Sequence, residues 1–434
     1  MKRMIIVGGG AAGMMCAIHA TSGYRVTLLE KNEKLGKKLF ITGKGRCNLT
    51  NACDEESFLR NVMSNSKFLY SAIYAYSPEQ VMKSFTDWGL SIKTERGNRV
   101  FPASDHSSDV IRTLEQEMKR RGVEVRLNTR VTGVSPTYEN DETDDTATEP
   151  EGDGPKQRTI REWSVTLSDG KRLTADVIVM ATGGISYPGT GASGEGIRIL
   201  EELGLSTRPF QPSLVPFVSD TELCRPMMGL SLKNVEASVY LRSKPKKPLF
   251  REFGEMLFTH FGVSGPLILS ASGRLQKYFT ADGSPKEPLE LRIDWKPALS
   301  TEQLDQRILR DFDSAKNKTA SHAVEELLPR LAIPVILQAA GIPGEKRVHE
   351  ITQEERKSLV ETLKSFPLPV KGLRGFDEAI ISAGGITVKE IDPRTMEVKR
   401  FPGLRVIGEM LDLDALTGGF NLQIAWCTAK LAAQ

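Results

Sequence analysis

Apolar positions along residues 1–204 come in two textures. Unbroken apolar runs predict strands buried in a parallel sheet: MIIV at 4–7, the core of YRVTLLE at 24–30, and VIVM within ADVIVMATGG. Helix-period stretches lie between them. AAGMMCAIHA follows the first run directly. A second helix, VMKSFTDWGL, is announced by Ser77 as N-cap, Pro78 in its first turn and Gln80 three residues on. A third spans roughly 107–121 and stops at Gly122, after which VEVRLNTRV predicts one strand. WSVTLSDGKRL predicts a strand and a turn at Asp169-Gly170. The segment KNEKLGKKLFITGKGRCNLTN, rich in Gly, Lys and Asn, predicts a ligand-wrapping loop.

The texture changes after residue 204. Proline-punctuated β-type segments (LVPFVSD, VEASVYLR, LELRIDW) come first. Helical patterns follow from about residue 300, with Thr352 and Glu355 placed as a capping box. AIISAGGITV and LRVIGEM then resume the first pattern. The expected organisation is an α/β nucleotide domain in two parts (1–204 and 376–434), interrupted by a β-rich domain (205–299) and a small helical domain with the return (300–375).

The first strand, turn and helix carry Gly8, Gly10 and Gly13, the dinucleotide fingerprint. Gly8 permits the tight turn, Gly10 lets a pyrophosphate approach the backbone, and Gly13 lets helix pack on strand. The helix N-terminus offers N–H groups to phosphate. Glu30 ends the second strand roughly 20 residues further on, where a ribose-binding acid belongs.

Composition narrows the class. The chain has 434 residues and a net charge of +3, with no concentrated basic face, which argues against a nucleic-acid partner. KPKK at 244–247 reads as a solvated hairpin tip, and the acidic stretch 136–157 as a mobile one. No apolar run reaches a membrane span, and the fingerprint strand begins too early to leave room for a removable leader. Five scattered cysteines (16, 47, 53, 224 and 427) without metal spacing predict free thiols in a reducing cytoplasm and no metal.

The fingerprint does not separate NAD from FAD; three further features favour FAD. Ala181, Thr182 and Gly183 close a buried strand with small residues. Gly408-Glu409 ends another, with an acid suited to ribityl hydroxyls or a water-bridged pyrophosphate. Gly418-Gly419 opens the final helix toward the flavin pyrimidine edge, where negative charge collects on reduction. A further glycine-rich turn, YPGTGASGEG, bounds either the flavin or a substrate anion.

The strings GGGAAGMMCA, LLEKNEKLGKKLFITGKGRCNLTN, ATGGISYPGTGASGEG, GEMLFTHFGVSGP, SAGGITVKEID and GEMLDLDALTGGFNLQIAW extend from residue 6 to residue 427. With them the chain resembles the BaiN/YhiN-like (aminoacetone-oxidase-like) family of FAD-dependent oxidoreductases. The resemblance implies a Rossmann-like, two-dinucleotide-binding FAD domain interrupted by a β-barrel-like domain and a small helical domain. It also implies either oxidation of a small aminoketone or reduction of steroid-type enones.

The expected cofactor residues follow. Gly8, Gly10, Ala12 and Gly13 meet the pyrophosphate and Glu30 the adenosine ribose, with Lys31 and Lys38 near ribose and phosphates. Gly45, Arg46, Cys47 and Asn48 run beside the flavin, Arg46 pairing with phosphate or a carbonyl oxygen and Asn48 orienting the ring. Val131 offers backbone to adenine. Gly408, Glu409, Gly419, Phe420, Asn421 and Leu422 hold the ribityl chain and pyrimidine edge. His260 and Tyr187 are the acid/base candidates, while His19 and Cys47 read as structural. The expected activity is hydride transfer at flavin N5 to or from a small or medium organic substrate, with NADH or NADPH as transient reductant. The alternatives are an aminoketone oxidase using O2, a flavin-binding module without turnover, and an RNA-modifying flavoprotein.

Overall fold

The computed structural model describes residues 1–139 and 159–434. Most of the acidic stretch 136–157 therefore lies outside the described residues. The chain divides into two compact units: residues 1–211 with 381–434, and residues 212–380.

The first unit is built on a five-stranded sheet. Its spatial order is Leu404–Val406, Val177–Met180, Lys2–Val7, Tyr24–Leu29, Glu124–Arg126. All four pairings are parallel, with Ile5 opposite both Ile178 and Thr27. The apolar runs are buried as their composition requires; Val177–Met180 is buried throughout. Helix Ala11–Ala20 is buried on nearly every side, and small residues (Ala11, Ala12, Gly13, Ala17, Ala20) make that close packing possible. It packs against the last helix, Phe420–Ala432, and against helix Ser107–Arg120, which buries Val110, Thr113, Leu114, Glu117 and Met118 on one face.

Two local expectations are revised. VEVRLNTRV is not one strand: it breaks into Glu124–Arg126 and Val131–Tyr138 around Asn128, whose φ is +50°. Asn128 N and Thr129 N donate instead to Asn32 O and Glu30 O, drawing the break against the end of the second strand. The segment after Glu30 is not wholly loop, because Lys37–Ile41 forms a short helix within it. The capping boxes at Ser77/Gln80 and Thr352/Glu355 form as read.

The second unit carries a seven-stranded antiparallel sheet. The order is Phe366–Val370, Leu289–Asp294, Ser231–Leu241, Phe250–Phe258, Gly262–Ser264, Phe217–Val218, Gly372–Leu373. Its two outermost strands are separated in sequence only by Lys371, so the sheet curls back on itself like a barrel. One apolar cluster joins strand residues (Ile293, Phe366) to helix residues (Leu304, Ile308, Leu359, Leu363), so strands and helices share a core. Lys244, Lys246 and Lys247 are exposed at a hairpin tip. Ile380 N donates to Leu214 O at 3.4 Å, so the chain enters and leaves this unit at adjacent points. No helix among the described residues is long and apolar enough to cross a membrane.

His19, on the first helix, is half-buried against Tyr76 and Trp88, and its Nδ1 lies 3.2 Å from Lys430 Nζ. Burial first, then Lys430 and Arg121, lower its pKa from 6.5 to about 3. The unfolded chain therefore binds a proton at mild acidity that the folded chain refuses. His19 contributes stability in full above pH 6.5, and the contribution falls away as pH drops toward about 3. In urea titrations the wild-type midpoint should fall more steeply between pH 6.5 and pH 4 than that of His19→Gln; parallel slopes would refute the assignment.

Candidate cofactor site

The fingerprint turn separates two glycines that packing requires from one that it does not. A Cβ on Gly13 would lie 1.9 Å from Gly8 O, and one on Gly8, at φ +111°, would lie 2.5 Å from Ala181 O. Gly10 differs: nothing lies within 4 Å of its Cβ position, and it is the N-cap of the first helix without a side-chain cap. Open space thus meets an uncapped helix N-terminus, which fits a pyrophosphate.

Glu30 is buried at the end of its strand. Its Oε2 accepts from Gly9 N (2.7 Å) and its Oε1 from Asn32 N and Nδ2 (2.8 and 2.7 Å), so the carboxylate is fixed beside the turn. Val131 begins its strand nearby in sequence to the backbone bonds at 128–129 and is itself buried. Lys31 Nζ donates to Ser193 Oγ (2.8 Å) and pairs with Glu195 (3.1 Å), which also pairs with Arg130. The glycine-rich turn 187–196 is therefore anchored at the Glu30 end.

Lys38 and Glu409, expected as separate contacts, are joined. Lys38 Nζ meets Glu409 Oε2 and Ser186 Oγ, each at 2.6 Å. Glu409 Oε1 accepts from Ser382 N (2.8 Å) and Ser186 Oγ (3.1 Å), and Ser382 Oγ accepts from Ile185 N and Ser186 N, both at 2.9 Å. Ser186 and Ser382 are fully buried. Sequence reading missed both serines; each adjoins a small-residue string (ATGG, SAGG), the one available signal.

The strand-end turns converge on the first helix. Ala181 N donates to Val7 O (2.9 Å), and Thr182 N and Oγ1 lie 3.2 and 3.3 Å from Met410 Sδ. Gly183 takes φ +77° with open space at its Cβ position. Gly408 N donates to Thr428 Oγ1 of the last helix (3.1 Å), and a Cβ on Gly408 would lie 2.9 Å from the Cβ of Ala12.

The loop holding Gly45 winds through left-handed conformations at Gly43, Lys44, Gly45 and Cys47. Arg46 is turned toward carboxylates, not left open for a phosphate or carbonyl oxygen. It pairs with Glu95 and Asp105 and lies 4.1 Å over the Phe101 ring, beside Lys93 paired to the same Asp105. Cys47 is fully buried, and burial pushes its thiol up to about 12, so it stays protonated at neutral pH. With its amide oxygen toward Gly419 N (3.0 Å), Asn48 donates to Thr50 O (3.1 Å).

The last helix is uncapped by any side chain at Gly419, whose φ is +97°. A Cβ there would lie 2.3 Å from Thr50 O. Phe420 is buried against Phe58, and Leu422 is half-buried. Asn421 turns back on its own chain, bonding Ala415 N and O at 2.9 and 2.8 Å. Gln423 and Trp426, which the sequence did not single out, tie the helix to the 49–50 segment: Gln423 Oε1 accepts from Thr50 Oγ1 (2.6 Å) and Trp426 Nε1 donates to Leu49 O (2.9 Å).

Tyr187 is half-buried and left-handed, with φ +53°. His260 belongs to the second unit, exposed in the turn between Phe250–Phe258 and Gly262–Ser264, its ring 5.0 Å from that of Phe261.

A parallel sheet with glycine turns at its strand ends is a Rossmann-type nucleotide-binding fold. It belongs to the HI0933-like protein Rossmann domain family, whose model matches residues 2–434. It is 27% identical over 437 residues to the 3-dehydro-bile acid delta(4,6)-reductase of Clostridium scindens, covering 100% of this chain and 98% of that one. It is 30% identical over 432 residues to the ribosomal RNA dihydrouridine synthase of Escherichia coli, covering 99% and 96%. In fold it is similar to 3-ketosteroid delta1-dehydrogenase from Sterolibacterium denitrificans, with a TM-score of 0.50, 13% identity and coverage of 100% and 98%.

The two glycines should respond differently to alanine. Gly13→Ala should lose about 2–3 kcal/mol by overpacking against Gly8 O. Gly10→Ala should melt close to wild type yet bind FAD far more weakly, as read by thermal melts and flavin titration. A Gly10→Ala protein with wild-type FAD affinity would refute the pyrophosphate assignment.

Proposed function

We propose that the protein reduces a carbon–carbon double bond conjugated with a carbonyl group, using NADH or NADPH as a transient reductant. One observation carries this reading. Two relatives matched over nearly their whole length are named for the same bond change on very different molecules. A delta(4,6) double-bond system beside a 3-oxo group and the C5=C6 bond of uridine are both α,β-unsaturated carbonyls.

FAD, when bound, supplies the two electrons as hydride at its N5. The open backbone at Gly10 and the N–H groups of the first helical turn suit its pyrophosphate, and Glu30 its adenosine ribose. Glu409, held by Lys38, suits the ribityl hydroxyls. The N-terminus of the last helix, at Gly419 through Leu422, suits the pyrimidine edge, where its positive end favours the anionic reduced ring. The α-carbon of the substrate also needs a proton. Tyr187 Oη and the His260 imidazole are the alternative donors proposed for it. Only one dinucleotide fingerprint occurs among the described residues, which supports a nicotinamide that binds and leaves.

The test is anaerobic titration of the purified flavoprotein. NADH or NADPH should bleach it, and an enone or a uridine-containing RNA should restore the oxidised spectrum stoichiometrically. Bleaching by an aminoketone with peroxide release in air, and none by nicotinamide, would overturn the reading in favour of an oxidase. Replacing the proton donor, by Tyr187→Phe or His260→Gln, should slow substrate reduction about 10²–10⁴-fold. If neither change slows it, both assignments fall.

A further inference from the structure

Residues 185–195 form a closed loop whose two ends touch. A Cβ on Gly194 would lie 2.9 Å from Ile185 Cγ2, and one on Gly196 2.1 Å from Thr182 Oγ1. Inside the loop, Tyr187 O accepts from both Thr190 N (2.9 Å) and Thr190 Oγ1 (2.8 Å), which braces the left-handed tyrosine.

Besides the Ile185 and Ser186 N–H bonds to Ser382 Oγ and the Ser186 Oγ bond to Glu409, several outward bonds of this loop share one target. Ser186 Oγ receives Lys38 Nζ (2.6 Å), and Ser193 Oγ receives Lys31 Nζ (2.8 Å). Glu195, just beyond the loop, pairs with Lys31 (3.1 Å) and with Arg130. Midway, a Cβ on Gly191 would lie 2.6 Å from Asn32 Nδ2, so only glycine admits this approach. The loop thus grips residues 31–38 at both ends, through Lys31 and Asn32 at one and Lys38 at the other.

We propose that this loop is a latch that fixes the 31–38 segment against the bound cofactor, with Ser186, Ser193 and Glu195 as positioning residues acting through Lys31 and Lys38. The inference rests on the FAD-binding reading of those two lysines. Cofactor release requires the segment to move, and moving it breaks the Lys31–Glu195 pair. Both side chains of that pair are partly exposed (28% and 21%), so salt screens it.

The experiment is exchange of bound FAD for isotopically labelled FAD on the intact holoprotein, followed by mass spectrometry at increasing ionic strength. Wild-type exchange should accelerate with salt. Of the two ion pairs of Glu195 only that with Lys31 holds the segment, so Glu195→Gln should exchange roughly tenfold faster at low salt and respond little to added salt. Its effect should not add to that of Lys31→Met, while the melting temperature of the apoprotein stays near wild type. Ser193→Ala, which removes one contact and no charge, should also speed exchange. Wild-type exchange rates in both Glu195→Gln and Ser193→Ala, or unchanged salt dependence, overturn the latch alone. A wild-type protein that takes up no FAD overturns the cofactor reading, and the latch with it.

Discussion

The first unit depends on a contact that no side chain would allow. The helix at Gly13 lies against the carbonyl of Gly8, and Gly8 lies against the carbonyl of Ala181. That approach seats the first helix on the sheet, and the last helix then packs beside it. Any β-carbon at these two positions would wedge helix from strand. The open side of Gly10 exists because its two neighbours in the motif are closed. The helix N-terminus beside that open side supplies polarity.

Near the same strand ends, charge joins segments far apart in sequence. Lys38 and Glu409 are 371 positions apart, yet they form one ion pair threaded through Ser186. The partly buried pair is worth more for placement than for stability, since desolvation offsets much of its attraction. The same logic describes Arg46, whose guanidinium is satisfied by Glu95, Asp105 and the Phe101 face. That cluster stiffens the loop around Cys47 and Asn48.

What the sequence revealed divides along physical lines. Strands, helices and caps depend on near neighbours, so MIIV, AAGMMCAIHA and the boxes at Ser77 and Thr352 were legible. The packing roles of Gly8 and Gly13 were legible as well, because φ preference and close approach leave residue-level signatures. Side-chain partners were not. Nothing near Arg46 in the chain announces Glu95 or Asp105, and Ser186 and Ser382 are ordinary serines until the fold brings them to one carboxylate. The break at Asn128 escaped notice because VEVRLNTRV alternates well enough for a strand; backbone bonds to Glu30 and Asn32 decide otherwise. The boundary drawn at residue 300 followed a change from strand to helix texture, whereas one apolar cluster spans both.

The bond between Ile380 N and Leu214 O brings the two ends of the second unit side by side. A module whose threshold is a single doorway leaves the strand order of its host untouched, whatever its own length or lining. Variation in its length or its loops is then free to accumulate without disturbing the parallel sheet and glycine turns of the first unit.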